Sequence, residues 1–108
     1  VGERRALQIT LMGERITAQQ GKEWGLVNWA VPQADLLKEA TRIASSLAQG
    51  PTTALAAAKK LLRQSLETGW DEQSAAEAFL LAETVASDDH LEGVTAFVEK
   101  RRARFTGN

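Results

Sequence analysis

The residues of this sequence that could move protons lie together near its C-terminus. His90 is the only histidine, and Asp88, Asp89 and Glu92 are its close neighbours in the chain. Imidazole and carboxylate groups are the side chains that enzymes use most often as general acids and bases. However, acidic residues in the first turn of a helix are already explained by the helix dipole, and no serine or second base stands out as a partner for His90. We therefore assign no catalytic residue to this chain.

An aromatic ring beside cations follows a few positions later and could contact a ligand. The residues at the helical spacing of a packing stripe are Leu91, Val94, Thr95 and Val98. Phe97 lies off that stripe, and Lys100 and Arg101 are its neighbours on the predicted helix. A face of this kind suits a ligand that is partly apolar and partly phosphate. The alternative is that Phe97 belongs to a second packing surface, for example one between subunits.

Composition excludes several classes of function. The formal net charge of -1 gives no field that would recruit nucleic acid or an anionic membrane surface. The chain has no cysteine, which excludes disulfides, thiolate nucleophiles and cysteine metal sites. No apolar run approaches the roughly 18 residues of a membrane-spanning helix, and no zinc, EF-hand or phosphate-loop spacing occurs. The arginine-rich segment 101–104 is therefore interpreted as a solvated helix end.

Hydrophobic periodicity predicts helices over most of the chain and a single strand. The predicted helices cover residues 3–12, 17–24, 36–47, 51–66, 72–86 and 87–101. The predicted strand covers residues 26–31 and is stopped by Pro32. A lone strand cannot form a sheet, so it should pair with a segment outside these residues. The expected architecture is a three- or four-helix array behind a small mixed segment.

Capping residues and apolar faces refine these helices. Thr17 and Gln20 have the spacing of a capping box, Asp71 is placed to cap the fifth helix, and Ser87 or Asp88 can cap the last one. The helix that follows Asp71 is apolar on most sides, so we expect it to be buried on more than one face.

Two blocks of residues resemble one known family. The first block is Leu11-Met12-Gly13-Glu14-Arg15-Ile16-Thr17-Ala18 with Gly25-Leu26-Val27-Asn28 and Val31-Pro32, and the second is Asp88-Asp89, Glu92-Gly93, Ala96-Phe97, Lys100-Arg101 and Phe105. In order and spacing, both are similar to the C-terminal part of the enoyl-CoA hydratase/isomerase (crotonase) family. The resemblance implies a mainly α-helical chain: the C-terminal, trimerisation-type helical domain of a crotonase-like α/β enzyme, with one short strand left from its core.

The resemblance also implies a division of the chain and of the chemistry. Residues 1–32 should be the end of the spiral core, and residues 33–108 a helical oligomerisation domain. In this family two backbone N–H groups stabilise an enolate at the thioester oxygen, and carboxylates move the protons. The family resemblance implies that the parent enzyme is a lyase or isomerase. It also places these catalytic groups before Val1, so this chain alone should be inactive.

Three residues match substrate-contacting positions of the family. Phe97 matches an aromatic residue that lines the acyl or pantetheine path, and Lys100 matches a cation that meets CoA phosphate, often from a neighbouring subunit. Leu81 matches a position at the border of the acyl pocket. The implied partners are an acyl-CoA substrate and further copies of the chain, as a trimer or dimer of trimers, with no nucleic acid and no membrane. No cofactor is expected beyond the CoA of the substrate, and a cytoplasmic location is expected.

The predicted function is therefore hydration of a 2-enoyl-CoA, or double-bond isomerisation, through a stabilised enolate. The alternative from another class is a non-catalytic helical oligomerisation or binding module, which the unpaired strand at 26–31 argues against. Within the family, Glu23-Trp24-Gly25 and the bulky Trp29 are similar to phenylacetate-pathway acyl-CoA isomerases. The identity of the acyl group is left open by these residues.

Overall fold

The computed structural model describes all residues from Val1 to Asn108 and contains helices and irregular segments but no strand. The helices are α1 (Glu3–Met12), α2 (Ala18–Glu23), α3 (Leu36–Ala48), α4 (Thr52–Gln64), α5 (Trp70–Val85) and α6 (Asp88–Val98), and a short 3₁₀ helix at Gln33–Asp35 leads into α3. The mainly α-helical class predicted from the sequence is confirmed. None of the helices is both long and apolar enough to cross a membrane.

The chain forms two compact units, Val1–Ala40 and Thr41–Asn108, and the boundary between them falls within α3. In the second unit α4 packs against α5, and α5 packs against α6. The functional division at residues 32 and 33, into the end of a core and an oligomerisation domain, stays a prediction.

The predicted strand at residues 26–31 is wrong, because this segment is irregular. The backbone turns at Gly25, whose φ of 73° lies in the left-handed region that glycine adopts without strain. The N–H groups of Leu26 and Val27 then donate to the carbonyl of Gly21 at 2.8 and 3.3 Å. These donors complete the end of α2 instead of a ladder, so local helix termination takes the groups that a strand would need.

Helix starts follow the predicted caps in two places and differ in a third. The capping box of α2 is confirmed: the Thr17 hydroxyl accepts the N–H of Gln20 at 3.1 Å, and the side-chain carbonyl oxygen of Gln20 accepts the N–H of Thr17 at 2.9 Å. Ser87 caps α6, as expected. Asp71 does not cap α5, because the helix starts at Trp70 with Gly69 as its N-cap. Asp71 lies instead in the first turn, where the dipole favours an acid.

Two predictions about burial are wrong within this chain. No residue of α5 is buried, although we expected burial on more than one face. The predicted stripe of α6 is not packed either, since Leu91, Val94 and Val98 are all exposed. The physical reason is scale: a few helices that pack only in pairs cannot cover both sides of any one of them, and small chains bury a small share of their surface.

Candidate functional site

Ser87 begins α6 and also connects it to the preceding helix. Its hydroxyl accepts the N–H of His90 at 3.1 Å and donates to the carbonyl of Thr84 at 2.7 Å. This satisfies one of the N–H groups that a helix leaves free at its start. The same cap places Asp88 and Asp89 in the first turn of α6.

Asp89 is buried, with 3% of its surface exposed, and its carboxylate holds the C-terminal end of the chain. We call residues 101–108 the tail. One carboxylate oxygen of Asp89 accepts the N–H of Thr106 at 2.7 Å and the other accepts the N–H of Gly107 at 2.9 Å, while the N–H of Asp89 donates to the main-chain oxygen of Asn108 at 3.0 Å. Both oxygens are therefore engaged by the main chain, and Asp89 is a structural carboxylate.

Contacts with the other side of the second unit complete the attachment of the tail. The Thr53 hydroxyl in α4 donates to the carbonyl of Gly107 at 2.9 Å, and the Arg102 guanidinium donates to the side chain of Gln49 at 2.7 Å. Gly107 has a φ of 83°, and a Cβ there would lie 2.7 Å from the Thr52 hydroxyl. Only glycine fits this position without strain or a clash.

Glu92 and Arg101 form a two-pronged ion pair at the start of the tail. The two nitrogens Nη1 and Nη2 of Arg101 lie 2.6 and 2.7 Å from the Glu92 oxygens, and Nε lies 2.6 Å from Glu99. Glu92 also accepts the N–H of Arg104 at 2.7 Å. The hydrogen bond from Arg101, followed by that from Arg104, lowers the pKa of Glu92 from 4.5 to about 2, and the same pair raises the pKa of Arg101. Glu92 thus stays ionised at neutral pH and is not a general acid.

The ring of Phe105 lies over Gly93, where a Cβ would be 3.5 Å from the ring edge. Together with Val94 and Phe97, this ring lines an apolar groove of about 360 Å³ to which α4, α6 and the tail all contribute. Phe97 is 85% exposed, so its ring is available to whatever enters the groove. We call this cavity the Phe97 groove.

The other two predicted site residues lie elsewhere. Leu81 lines a second groove, of about 560 Å³, which shares Ala54 and Thr84 with the Phe97 groove. Lys100 lines neither groove and follows directly after the C-cap of α6. The structure thus places Phe97 and Leu81 in adjacent grooves and leaves Lys100 at a helix end. Their roles toward a ligand stay predictions.

Lys100 adopts a backbone conformation that favours glycine. The last helix ends at Val98, three residues before the predicted end, so the cations expected in its last turn lie beyond it. The N–H of Lys100 donates to the carbonyl of Phe97 at 3.2 Å and the N–H of Arg101 donates to that of Ala96 at 3.0 Å, with Lys100 at a φ of 53°. This is a Schellman motif with lysine at the position where glycine is usual. Strained backbone of this kind concentrates at functional sites.

Sequence reasoning missed the attachment of the tail. Asp88 and Asp89 are identical in type, adjacent, and both explained by the helix dipole, so no local pattern separates them. What separates them is a contact that spans 17 residues, between Asp89 and Thr106. Phe105 belongs to the second block of family-like residues, but nothing in its spacing indicates that the ring forms the wall of a groove.

Comparisons with known proteins agree with the resemblance. The family model described as "Enoyl-CoA hydratase/isomerase" matches residues 1–108. The chain is 40% identical over 107 residues to the 2,3-dehydroadipyl-CoA hydratase of Escherichia coli (strain K12), and the alignment covers 99% of this chain and 42% of that protein. It is 34% identical over 107 residues to the trans-2-decenoyl-[acyl-carrier-protein] isomerase of Streptococcus mutans, covering 99% of this chain and 41% of that protein.

A solved structure matches in the same way. The enoyl-CoA hydratase of Bacillus anthracis superposes with a TM-score of 0.93 at 31% sequence identity, over 100% of this chain and 42% of that one. The chain therefore spans less than half the length of each of these relatives.

Proposed function

Because this chain belongs to the enoyl-CoA hydratase/isomerase family, we propose that it works as part of an enzyme that acts on acyl-CoA thioesters. The observation that carries the proposal is the family match over residues 1–108. The preferred reaction is hydration of a 2-enoyl-CoA, which the names of the hydratases among its relatives support. Double-bond isomerisation is the second candidate, supported by the isomerase among them.

In this proposal, residues 1–108 help to bind the substrate and do not transfer protons. Hydration and isomerisation both need a group that moves a proton at carbon and donors that stabilise the developing enolate. Asp89 gives both oxygens to the tail, and Glu92 is held as a carboxylate by Arg101. With these acids committed, we propose that residues 1–108 alone do not catalyse the reaction.

Phe97, Leu81 and Lys100 are proposed to contact the substrate. The exposed ring of Phe97 and the exposed side chain of Leu81 offer apolar surface in adjacent grooves, which suits the acyl or pantetheine part. Lys100 forms no ion pair within the chain and keeps a strained backbone, which suits a cation reserved for phosphate. No cofactor beyond the CoA of the substrate is needed for this role.

The exposed apolar faces of α5 and α6 support assembly as a homo-oligomer, proposed as a trimer or dimer of trimers. We also propose a cytoplasmic location for this assembly.

The alternative function, a non-catalytic helical module, is less well supported. The strand that was expected to argue against this alternative is absent, but the family match over residues 1–108 argues against it instead. No observation specifically favours the phenylacetate-pathway isomerase; Trp24, one of the residues that suggested it, contacts the Arg5 guanidinium at 5.5 Å within the first unit.

The test compares the full-length gene product that contains this sequence with the purified chain of residues 1–108. We expect the full-length protein to hydrate crotonyl-CoA and longer 2-enoyl-CoA thioesters, and the chain alone to show only the background rate. A parallel assay with 3-enoyl-CoA thioesters separates isomerisation from hydration. The proposed function is wrong if the full-length protein converts neither substrate, and the proposed division of labour is wrong if residues 1–108 show turnover alone.

A further inference from the structure

The tail is tied to the second unit at the point where it borders the Phe97 groove. Among the hydrogen bonds that hold it there, three join the segment 106–107 to the helices: from the N–H groups of Thr106 and Gly107 to Asp89, and from the Thr53 hydroxyl to the carbonyl of Gly107. We call these three bonds the tail anchor. Phe105 immediately precedes the anchored residues and lines the Phe97 groove.

Phe105 also lines an open cleft of about 1180 Å³, whose lining includes Arg102 and Arg104 as well as the acids Asp88 and Glu92. Phe105 is therefore part of the wall of an apolar groove and part of the wall of a cleft that carries charges of both signs. An acyl-CoA has an apolar part that suits the Phe97 groove, so the position of this ring affects how well that part fits.

We propose that Asp89 is a positioning residue for acyl-CoA, because the tail anchor keeps Phe105 in the wall of the Phe97 groove. The inference rests on the proposed function. Asp89 itself touches no substrate in this arrangement. It acts through the main chain of the tail and through Phe105, and its loss should weaken substrate binding more than it slows the chemical step.

The hydrogen bonds of the tail anchor account for the position of the tail better than the contact between Phe105 and Gly93 does. Ordering the tail costs conformational entropy at every residue, and the ring of Phe105 lies against Gly93, which has no side chain to pack against it. Hydrogen bonds to an ionised acceptor are about twice as strong as neutral ones. A carboxylate that is buried and accepts two N–H groups therefore offsets the ordering of the tail better than one aromatic contact does.

Gly107 provides a second way to break the anchor without touching α6. Its φ of 83° opposes any larger residue, and so does the Thr52 hydroxyl, which would lie 2.7 Å from an added Cβ. Gly107→Ala should therefore push the tail away from α4. Asp89→Asn keeps the size of the side chain but offers only one acceptor oxygen, so one of the two N–H groups loses its partner.

The experiment uses the full-length protein with five variants. Asp89→Asn, Gly107→Ala and the double variant break the anchor, Phe105→Ala removes the wall but keeps the anchor, and Asp71→Asn is the matched control. Asp71 is an exposed acid in the first turn of α5, so its change removes a first-turn charge at a residue that lines neither the Phe97 groove nor the cleft. Hydrogen exchange of the peptide that contains Thr106 and Gly107 reports the anchor, and steady-state kinetics with short and long 2-enoyl-CoA report binding.

Both anchor variants should exchange the tail amides faster and raise KM by about tenfold, the size expected for loss of a charge-assisted hydrogen bond. Their kcat should change by less than about twofold, since the chemical groups are untouched. The double variant should raise KM no more than the more severe single variant does, because both substitutions break the same tail anchor. Phe105→Ala should raise KM while the tail amides stay protected, and Asp71→Asn should change neither KM nor the exchange of the tail amides.

Two results would overturn the inference: fast tail exchange with unchanged KM in both anchor variants, or slow tail exchange in both. A general loss of structure would lower kcat instead and would also speed exchange in α4 and α5. If the unmodified protein turns over no acyl-CoA, the proposed function fails and the substrate part of the inference fails with it. Faster tail exchange in Asp89→Asn would in that case still support Asp89 as the residue that holds the tail.

Discussion

Asp89 and Glu92 lie one helical turn apart on α6, and the tail binds both of them. Asp89 is buried and accepts main-chain N–H groups at its two shortest contacts, so losing either contact would leave a carboxylate oxygen without its partner in a buried position. Glu92 keeps 24% of its side chain exposed and takes a guanidinium as its main partner. Two acids one turn apart therefore bind the tail in different ways: Asp89 through main-chain N–H groups, and Glu92 mainly through the guanidinium of Arg101.

The stability of the protein should depend on Glu92 in acid. The pKa of Glu92 is about 2 in the folded chain and 4.5 when it is unperturbed, so between these values the unfolded state binds more protons. The stabilisation by Glu92 is therefore complete above pH 4.5 and is lost as the pH falls toward 2. Glu92→Gln should flatten the dependence of the urea midpoint on pH in this window.

The matched control for that measurement is Glu67→Gln, because Glu67 is exposed and takes part in no ion pair. Its variant should follow the unmodified protein at every pH. The ion pair contributes nothing to folding if Glu92→Gln and the unmodified protein lose stability in parallel between pH 4.5 and 2.

At the level of helices, α2 and α6 both end at a residue with left-handed backbone, but the residues differ. After α2 the left-handed position is Gly25, and after α6 it is Lys100. A side chain with a Cβ makes this conformation sterically costly. The protein has lysine at a position that favours glycine, and the proposed contact of Lys100 with phosphate would account for this.

Stability and binding should separate at Lys100. Lys100→Gly should stabilise the fold by about 0.5–1 kcal/mol, because it relieves the left-handed backbone, whereas Lys100→Ala should not. On the proposed function, both variants of the full-length protein should raise KM for acyl-CoA by the equivalent of about 1 kcal/mol, with kcat nearly unchanged, since a screened phosphate contact acts equally in ground state and transition state.

Thermal unfolding and steady-state kinetics on the same two variants check this prediction. A large drop in kcat at constant KM would show that Lys100 does not act as a phosphate contact. A loss of stability in Lys100→Gly would show that the left-handed backbone is not strained.

At the level of the whole molecule, apolar side chains of the second unit face solvent. The exposed fractions are 63% for Phe79, 67% for Leu91 and 73% for Val98. Isolated exposed apolar residues are ordinary in proteins, but a set of them on packed helices marks an interaction surface. These exposed side chains support the proposed assembly, because a partner surface would cover apolar area that the chain alone leaves exposed.

We expect the purified chain of residues 1–108 to self-associate. Sedimentation velocity should show a weight-average mass that rises with concentration, and the double variant Leu91→Lys with Val98→Lys should shift it toward the monomer. Replacing exposed Glu67 with lysine is the control for the added charge. An ideal monomer at high concentration would contradict the proposed oligomerisation surface.

The sequence by itself determined the helices, several of their ends and the family. Helical periodicity places α1, α3 and α4 within a few residues of their observed bounds, since it reflects local geometry. The Thr17–Gln20 box and the Ser87 cap are contacts between residues three positions apart, so they too can be read locally.

Only the tertiary structure decided what depends on a distant partner. Residues 26–31 have the pattern of a strand, but a strand exists only when another strand pairs with it, and here the N–H groups of Leu26 and Val27 close α2. An apolar face on α5 indicates where a partner would bind, not whether the chain supplies one. Asp89 differs from Asp88 only through its bonds to residues 17 and 18 positions away, and no local propensity encodes a contact of that range.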